Sequence, residues 1–437
     1  MSGESKMKET ARAELVEARA NVKEIRSSFD KLRMSGLFVG LNGIFVVLFL
    51  TAFVSAAEVT TLADLRFLGG QQFFQGSASS VGGNLDAMVT PSVAFNDRWS
   101  LVPTWQGEYR GTRDVQELAG GGTLFQDSTR QSLTAKTVYT AGSWKYKATV
   151  GTAFEWLRET KDEKWGSGLF DNRKYSGGVE SEYDVSKTMG ARLAYDYYSL
   201  TFPHYKSLET ATDPSLAREL AGTKTLDSGN HLFTFSLWAP FPGEGRAELG
   251  AYYNLRSFND QNVLNGEGQF TGTGRADETL SVSAGVESRP YSVGGSARAL
   301  ASLGVSYQAN DSNQNHYDAV NAVYVPSYYN YSQWDLRPEI NVALGAEKPW
   351  IFSVSVDYTR RGYSDRPAQD SAGNYLTAKT RVSLTTASLG VTYPWSKNFK
   401  IRAAGNLAWS DSNMKYEQLF RYNYKIANYL VGFSYEY

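Results

Sequence analysis

The chain has 437 residues, with 44 Lys and Arg against 45 Asp and Glu, so its net charge is close to zero. That balance disfavours nucleic acid as a partner, because proteins that bind nucleic acid usually carry a strong basic excess. The sequence contains no Cys, which excludes disulfides, thiolate metal sites and Cys nucleophiles.

The first predicted element is an export signal. The apolar run Leu37–Val54 follows Lys31 and Arg33, and the small residues after it fit cleavage by signal peptidase following Ala56 or Ala57. The alternative is a single membrane-spanning helix, because about eighteen apolar residues are just enough to cross a bilayer. Both interpretations imply export.

The segment before this signal is unusually long. Residues 1–33 are highly charged and favour helix, and the stretch Ala11–Gly36 resembles the translated repeat elements of some bacterial genomes. On that interpretation the true start is a later methionine, Met7 or Met34; a cytoplasmic amphipathic helix is the alternative. We therefore treat residues 1–57 as an N-terminal extension with its signal sequence, and residues 58–437 as the folded domain.

Strand patterns begin at about residue 62. Segments of about ten to fourteen residues alternate apolar and polar side chains, which is the period of a β-strand with one apolar and one polar face. In Ile351–Arg360, for example, Phe352, Val354 and Val356 alternate with polar residues. The sixteen predicted strands cover residues 62–75, 84–95, 98–110, 129–140, 144–158, 172–183, 188–200, 229–239, 246–258, 277–289, 297–308, 332–344, 350–361, 378–392, 399–410 and 425–437.

Short turns alternate with long polar loops between these strands, among them loops at 259–276 and 362–377. This asymmetry is typical of transmembrane barrels. The first strand alternates poorly, because apolar residues such as Phe67 and Leu68 are adjacent. A barrel of fourteen strands after a periplasmic or plugging segment therefore stays open. A break in the alternation near Thr385 and Thr386 predicts a β-bulge.

Strand length separates a membrane barrel from a soluble β-sandwich. Sandwich strands usually have about five or six residues, whereas a tilted strand needs about ten to cross a bilayer. Aromatic residues near the strand ends suit two interfacial girdles. They are Trp99, Tyr109, Tyr139, Trp144, Trp156, Tyr183, Trp238, Trp334, Trp350, Tyr358, Tyr393 and Trp409. We predict an all-β fold, a transmembrane antiparallel up-and-down β-barrel.

The chain ends in a pattern that is more specific. Gly432, Tyr435 and Tyr437 resemble the C-terminal strand of Gram-negative porins and related barrels, in which aromatic residues follow a Gly at three and five positions, the last at the chain end. In that family the ending is a signal for the outer-membrane assembly machinery. The resemblance therefore implies an outer-membrane location and that machinery as a partner. Leu430 departs from the polar residue usual there, and Tyr437 replaces the commoner Phe.

The polar strand faces are expected to line the lumen, which is wide enough for water in a barrel of sixteen strands. The predicted lining carries both signs in near balance. Its basic residues are Arg98, Arg110, Lys145, Lys147, Arg192, Arg246, Arg256, Arg298, Arg337, Lys400 and Arg402. Its acidic residues are Glu108, Glu155, Glu180, Glu182, Asp196, Glu248, Glu287, Asp335, Glu339 and Asp357.

This lining predicts a passive, porin-like channel for small hydrophilic solutes. In the alternative, opposite charges on neighbouring strands pair and close the interior. The barrel would then be a surface anchor, an adhesin, or part of a secretion or polysaccharide-export assembly. No feature of the sequence specifies an oligomeric state.

Two long loops carry further predictions. We expect the Tyr-rich segment 324–331 to order its loop by packing on itself, although exposed aromatic residues also stack on sugars or partner proteins. Residues 159–171 form the third long loop. General porins fold that loop into the barrel as a constriction, and Asp162 and Glu163 would then place negative charge opposite the basic wall.

The sequence shows no pattern for catalysis. His204, His231 and His316 lack the spacing of a metal site or of a Ser–His pair. The Gly runs at 120–122 and 272–274 do not join a strand to a helix, as a nucleotide-binding loop would. We expect neither an enzyme nor a cofactor, and we expect the membrane lipid and the transported solutes as ligands.

Overall fold

A computed structural model describes residues 58–437, apart from residue 80 and residues 119–120, 207–217, 221, 242–244 and 419. The predicted signal sequence, its cleavage and the translation start fall in residues 1–57 and lie outside the described residues. Within the described part, the chain has no helix long and apolar enough to cross a membrane.

Sixteen antiparallel strands form one closed β-barrel. In chain order they are β1 (Glu58–Phe74), β2 (Gly82–Ala94), β3 (Trp99–Arg110), β4 (Asp127–Ala141), β5 (Trp144–Arg158), β6 (Asn172–Asp184), β7 (Gly190–Thr201), β8 (Ser228–Phe241), β9 (Gly245–Leu264), β10 (Phe270–Glu287), β11 (Ala297–Ser312), β12 (Tyr331–Leu344), β13 (Trp350–Gln369), β14 (Tyr375–Pro394), β15 (Phe399–Ser412) and β16 (Tyr424–Glu436). The short turns form one end, here the short-turn rim, and the long connections form the other, the long-loop rim. Short extra strands lie at Ser77–Ala78 and Tyr291–Gly294, and hairpins pair Asp114–Leu118 with Gly121–Phe125 and His316–Asp318 with Val323–Val325.

The first strand closes the barrel. β1 pairs with β2 on one side and with β16 on the other, so it is part of the wall and the fourteen-strand alternative is wrong. Its weak alternation has a simple cause. Phe67 points outward and is 42% exposed, whereas Leu68 points inward, so two adjacent apolar residues lie on opposite faces of one strand.

Two predicted long loops are largely strand. β9 runs on to Leu264 and β10 begins at Phe270, and similarly β13 and β14 leave only residues 370–374 between them. Register shifts after Ser257 and Gly362 mark where these extensions begin. The alternation of apolar and polar residues does not reveal these extensions, because strand segments that project beyond the membrane need no apolar face.

The bulge predicted near Thr385 and Thr386 is wrong. β14 keeps an unbroken register with β13 from Arg381 to Thr392, and with β15 from Val382 to Pro394. The alternation breaks because Val382 points into the barrel, opposite the inward-facing Arg361.

The outer surface is an apolar belt. Val150, Leu193 and Val431 point away from the barrel and are 64%, 62% and 63% exposed. Large aliphatic side chains are unfavourable in water at such exposure, and they suit contact with lipid tails. The belt, the strand length and the closed sheet together make this a transmembrane barrel.

Aromatic pairs border the belt. At the short-turn rim, Trp99 packs on Tyr139 and Trp350 on Tyr393, each with ring centroids 4.7 Å apart. Trp238 was predicted for this girdle but points inward. Its register partner is Gly190, where any Cβ would collide with the indole, so the glycine makes room for the ring inside the barrel.

Candidate functional site

The inner wall carries nearly all of the predicted lining residues. Register partners on neighbouring strands share a face, so each inward position can be traced around the barrel. The inward-facing residues are Arg110, Lys145, Lys147, Arg192, Arg246, Arg256, Arg298, Arg337, Lys400, Arg402, Glu108, Glu155, Glu180, Glu182, Asp196, Glu248, Glu287, Asp335, Glu339 and Asp357.

Arg98 is the exception. It lies in the exposed turn at residues 95–98, before β3 begins. The side-chain oxygen of Asn96 accepts hydrogen bonds from the backbone N–H groups of Arg98 and Trp99, both at 2.9 Å. This Asx-type turn places Arg98 at the short-turn rim, outside the strands, so its role as a lining residue stays a prediction.

Ion pairs run along the wall between neighbouring strands. Lys147 on β5 lies 2.5 Å from Glu180 and 2.6 Å from Glu182, both on β6. Arg110 on β3 lies 2.6 Å from Asp86 on β2. These pairs fix charges in place on the lining without reaching across the lumen.

Several inward charges remain open to solvent. The side chains of Arg246 and Arg337 are 59% and 68% exposed although they point into the barrel. Near the short-turn rim, Arg192, Trp238 and Glu248 line a cavity of about 330 Å³. A barrel packed solid with side chains would bury these groups, so the lumen near the short-turn rim is an open, polar space.

The sequence analysis missed the lining of β1 and β2. Asp64, Arg66 and Asp86 all point inward. The weak alternation of the first strand concealed them. The C-terminal pattern could have supplied the phase, because Arg66 is the register partner of Ser434, which alternates with Tyr435.

The second long loop, residues 111–126 between β3 and β4, folds into the barrel. At its base, the Gln72 side chain on β1 accepts a hydrogen bond from the N–H of Arg113 at 2.7 Å and donates one to the Arg113 carbonyl at 2.9 Å. On its hairpin, Glu117 accepts a hydrogen bond from Arg361, an inward-facing residue of β13, and another from the Tyr363 hydroxyl at 3.3 Å. The loop therefore reaches from β3 to a wall that lies beyond β1.

The part of the third loop around Trp165 lies on the outer face, so the constriction predicted from Asp162 and Glu163 is wrong, whereas Phe170 near the end of the loop packs on Phe125 of the second loop. Trp165 stacks over the Arg158 guanidinium at 4.2 Å and lies beside Tyr109, whose ring points outward. These two side chains form a platform on the outer face that holds the loop there. Asp162 and Glu163 consequently do not face the lumen wall.

The Tyr-rich segment packs as predicted. The rings of Tyr328 and Tyr329 lie 5.2 Å apart, and Tyr329 is only 4% exposed. Its hydroxyl donates a 2.9 Å hydrogen bond to Glu219, and the Arg275 guanidinium lies 4.1 Å from its ring centre. Burial and the nearby Glu219 charge raise the pKa of Tyr329, so the phenol stays neutral and keeps this bond.

The histidines lie in three separate environments. His316 is 2.9 Å from the Glu219 carboxylate and stacks on Tyr328, but Glu219 is fully buried under the loops. His231 is 2.9 Å from the Tyr195 hydroxyl on the outer face, and His204 is exposed in the fourth long loop. Among the described residues, no group of three or more His, Asp or Glu is arranged to hold a metal ion.

The C-terminal pattern lies at the closing seam. Gly432 points inward, and a Cβ there would collide with the backbone of Phe67 on β1. Tyr435 and Tyr437 are 42% and 70% exposed. The glycine is thus required for the close approach of β16 to β1, whereas the two aromatic rings remain accessible.

No model of a protein family matches the sequence, and a search of curated proteins gave no match. Solved structures with a similar course of the chain include OccAB1 of Acinetobacter baumannii, at 10% identity and a TM-score of 0.45, over 88% of this chain and 97% of that one. OpdO of Pseudomonas aeruginosa gives 9% and 0.43, over 87% and 97%. A bacterial polysaccharide outer membrane secretin gives 10% and 0.40, over 86% and 97%. By its closed sixteen-stranded sheet, apolar belt and polar interior, the chain has the fold of a transmembrane antiparallel β-barrel.

Proposed function

We propose that the protein is a passive aqueous channel for small hydrophilic solutes in the outer membrane of a Gram-negative bacterium. The observation that carries the proposal is the solvent exposure of inward-pointing charges, with Arg246 and Arg337 at 59% and 68%. Each of these guanidinium groups pairs with one carboxylate, Glu248 or Asp357, yet more than half of each side chain stays exposed, and charged groups keep their hydration only where water reaches them. A water-filled lumen supplies that hydration.

The arrangement of the ion pairs supports the same function. Lys147 with Glu180, and Arg110 with Asp86, join adjacent strands of one wall. Pairing between neighbouring strands was the expected means of closing the interior, but these pairs lie along one wall and the side chains of Arg246 and Arg337 stay exposed, which favours an open lumen. The inward-folded second loop, which bonds to Arg361, then sets the narrowest section of the pore.

The site of action follows from the outer surface. The apolar belt and its aromatic borders fit the lipid bilayer. After export through the inner membrane, the outer-membrane assembly machinery would recognise Gly432, Tyr435 and Tyr437. Selectivity among solutes would come from pore width and from the field of the lining charges, without a catalytic step.

The direct test is single-channel recording. The full gene is expressed in a Gram-negative host, and the protein is purified from its outer membrane, checked for the heat-modifiable gel mobility of folded barrels, and added to a planar bilayer in KCl. Discrete, steady openings are expected. N-terminal sequencing of the same sample shows whether cleavage follows Ala56 or Ala57.

The second candidate is a non-conducting anchor, adhesin or export component. It is favoured by the packing at the long-loop rim, where Tyr329, Glu219 and Arg275 are all buried. The absence of openings from a protein shown to be folded would overturn the channel and leave this role. Openings that no variant of the second loop changes would rule out that loop as the constriction.

A further inference from the structure

Two arginines and a serine on the inner wall have hydrogen-bonding atoms without partners. The Nε atoms of Arg66 on β1 and Arg402 on β15, and the hydroxyl of Ser434 on β16, are buried and lack a hydrogen-bond partner. Ser434 is fully buried. Buried polar atoms are nearly always bonded in folded proteins, and those left unbonded call for a ligand, a water or a functional reason.

These three residues belong to one patch. Arg66 on β1 is the register partner of Ser434 on β16. Arg402 on β15 is the register partner of Gly432, which precedes Ser434 by two residues on β16. All four point inward. The strand between the two arginines therefore presents only a glycine and a serine, which form a shallow floor between two long cationic side chains. The two guanidinium charges are close enough to repel each other.

The neighbouring carboxylates form no ion pair with either arginine among the described residues, although Glu436 and Asp64 lie close enough to attract Arg402. Both oxygens of Glu436 accept hydrogen bonds from Lys400, at 2.6 and 2.7 Å. Asp86 is bonded to Arg110 at 2.6 Å. Asp64 lies opposite Glu436, one step nearer the short-turn rim. Among the described residues, neither Arg66 nor Arg402 forms an ion pair, so two positive charges on the inner wall flank the buried, unbonded hydroxyl of Ser434.

We propose that Arg66, Arg402 and Ser434 form a binding site for an oxyanion, the carboxylate or phosphate group of a solute. Guanidinium groups bind such anions through paired N–H donors, and a serine hydroxyl adds a third donor from the floor. The site rests on the proposed channel and makes it more specific, because anionic solutes would bind between the long-loop rim and the short-turn exit. Asp64 and Glu436 mark its limit, since their negative charge repels an anion beyond it.

The test measures binding separately from conduction. The folded full-chain protein in detergent is titrated calorimetrically with inorganic phosphate and with acetate, and with chloride as a weakly hydrogen-bonding comparison. Saturable binding of the oxyanions is expected. Arg66→Gln and Arg402→Gln should each weaken it about tenfold or more, the effect of one charge-assisted contact, and Ser434→Ala should weaken it by less while leaving the net charge unchanged.

Arg298→Gln is the matched control. Arg298 also points inward, is exposed, and has no neighbouring guanidinium on its register partner Ala343. An equal loss in this variant would reduce the effect to the general lumen field and overturn the site, as would the absence of binding to folded wild-type protein. The two outcomes can be told apart. Binding without conductance would overturn the channel and support the anion site, whereas conductance without binding would support the channel and overturn the anion site. Gel mobility confirms that each variant folds. If Arg402→Gln does not fold, Arg402→Lys replaces it, and it should also weaken binding because it keeps the charge but loses the paired N–H donors.

Discussion

Glu117 and Arg361 are separated by 244 positions in the chain, yet the Glu117 carboxylate accepts a hydrogen bond from the Arg361 guanidinium. The contact joins the hairpin of the second loop to the inner wall of β13. Arg361 also stacks on Tyr331, with 4.1 Å between the guanidinium carbon and the ring centre, so the wall side of the contact is rigid. The relationship makes the second loop, and not the third, the structural candidate for the pore constriction.

Breaking this contact should loosen the constriction. Glu117→Gln keeps the size of the side chain but removes its charge, and a charge-assisted hydrogen bond becomes a weaker neutral one. We expect higher single-channel conductance or more frequent flicker, recorded in planar bilayers at fixed KCl concentration.

Glu163→Gln is the control for that measurement, because it makes the same change in the outward-held third loop. Its conductance should equal that of the wild type. If Glu163→Gln altered conductance and Glu117→Gln did not, the constriction would belong to the third loop after all.

The Tyr-rich segment should depend on one buried ring. Tyr329→Ala removes an aromatic side chain that contacts Arg275 and Glu219, and such truncations cost roughly 3–5 kcal/mol where the site is well packed. We expect the loop at 313–330 to become sensitive to limited proteolysis while the barrel keeps its heat-modifiable gel mobility. Val320→Ala, in the same loop but 61% exposed, should stay resistant. Equal resistance of both variants would show that Tyr329 does not order the loop.

The seam glycine should be needed for closure of the barrel. In Gly432→Ala the new methyl group meets the Phe67 backbone, which must shift, at a cost of roughly 1–3 kcal/mol for overpacking. We expect a lower urea midpoint of unfolding. Gly405→Ala on β15 is the matched variant, because its Cβ would lie an ordinary 3.5 Å from the Tyr429 ring. Equal midpoints for the two variants would contradict a tight seam at Gly432.

The terminal tyrosine should matter for assembly more than for stability. Tyr437 is 70% exposed, and its backbone already bonds to Ala63 through an N–H···O contact of 2.8 Å. Tyr437→Ala should therefore refold in detergent with an unchanged urea midpoint, yet reach the outer membrane in smaller amounts in cells. Membrane fractionation and immunoblotting give the second quantity. Normal levels in the membrane would remove Tyr437 from the assembly signal.

The sequence by itself predicted sixteen strands, with fourteen left open, together with most strand positions and the direction of most side chains. Period-two alternation is a local property: once Ala148 and Val150 are known to face lipid, Lys147 must face the other way. It also predicted the aromatic borders, apart from Trp238, because aromatic residues are enriched where a strand crosses a membrane interface.

Only the tertiary structure decided what meets across the barrel. Loops have no period, so nothing local shows that Glu117 reaches Arg361, or that Trp165 finds its platform on the outer face. The patch of Arg66, Ser434 and Arg402 likewise exists only because closure places β1 beside β16, the first and last strands of the chain. Contacts between distant segments depend on register and closure, and these are set by the whole sheet rather than by any one strand.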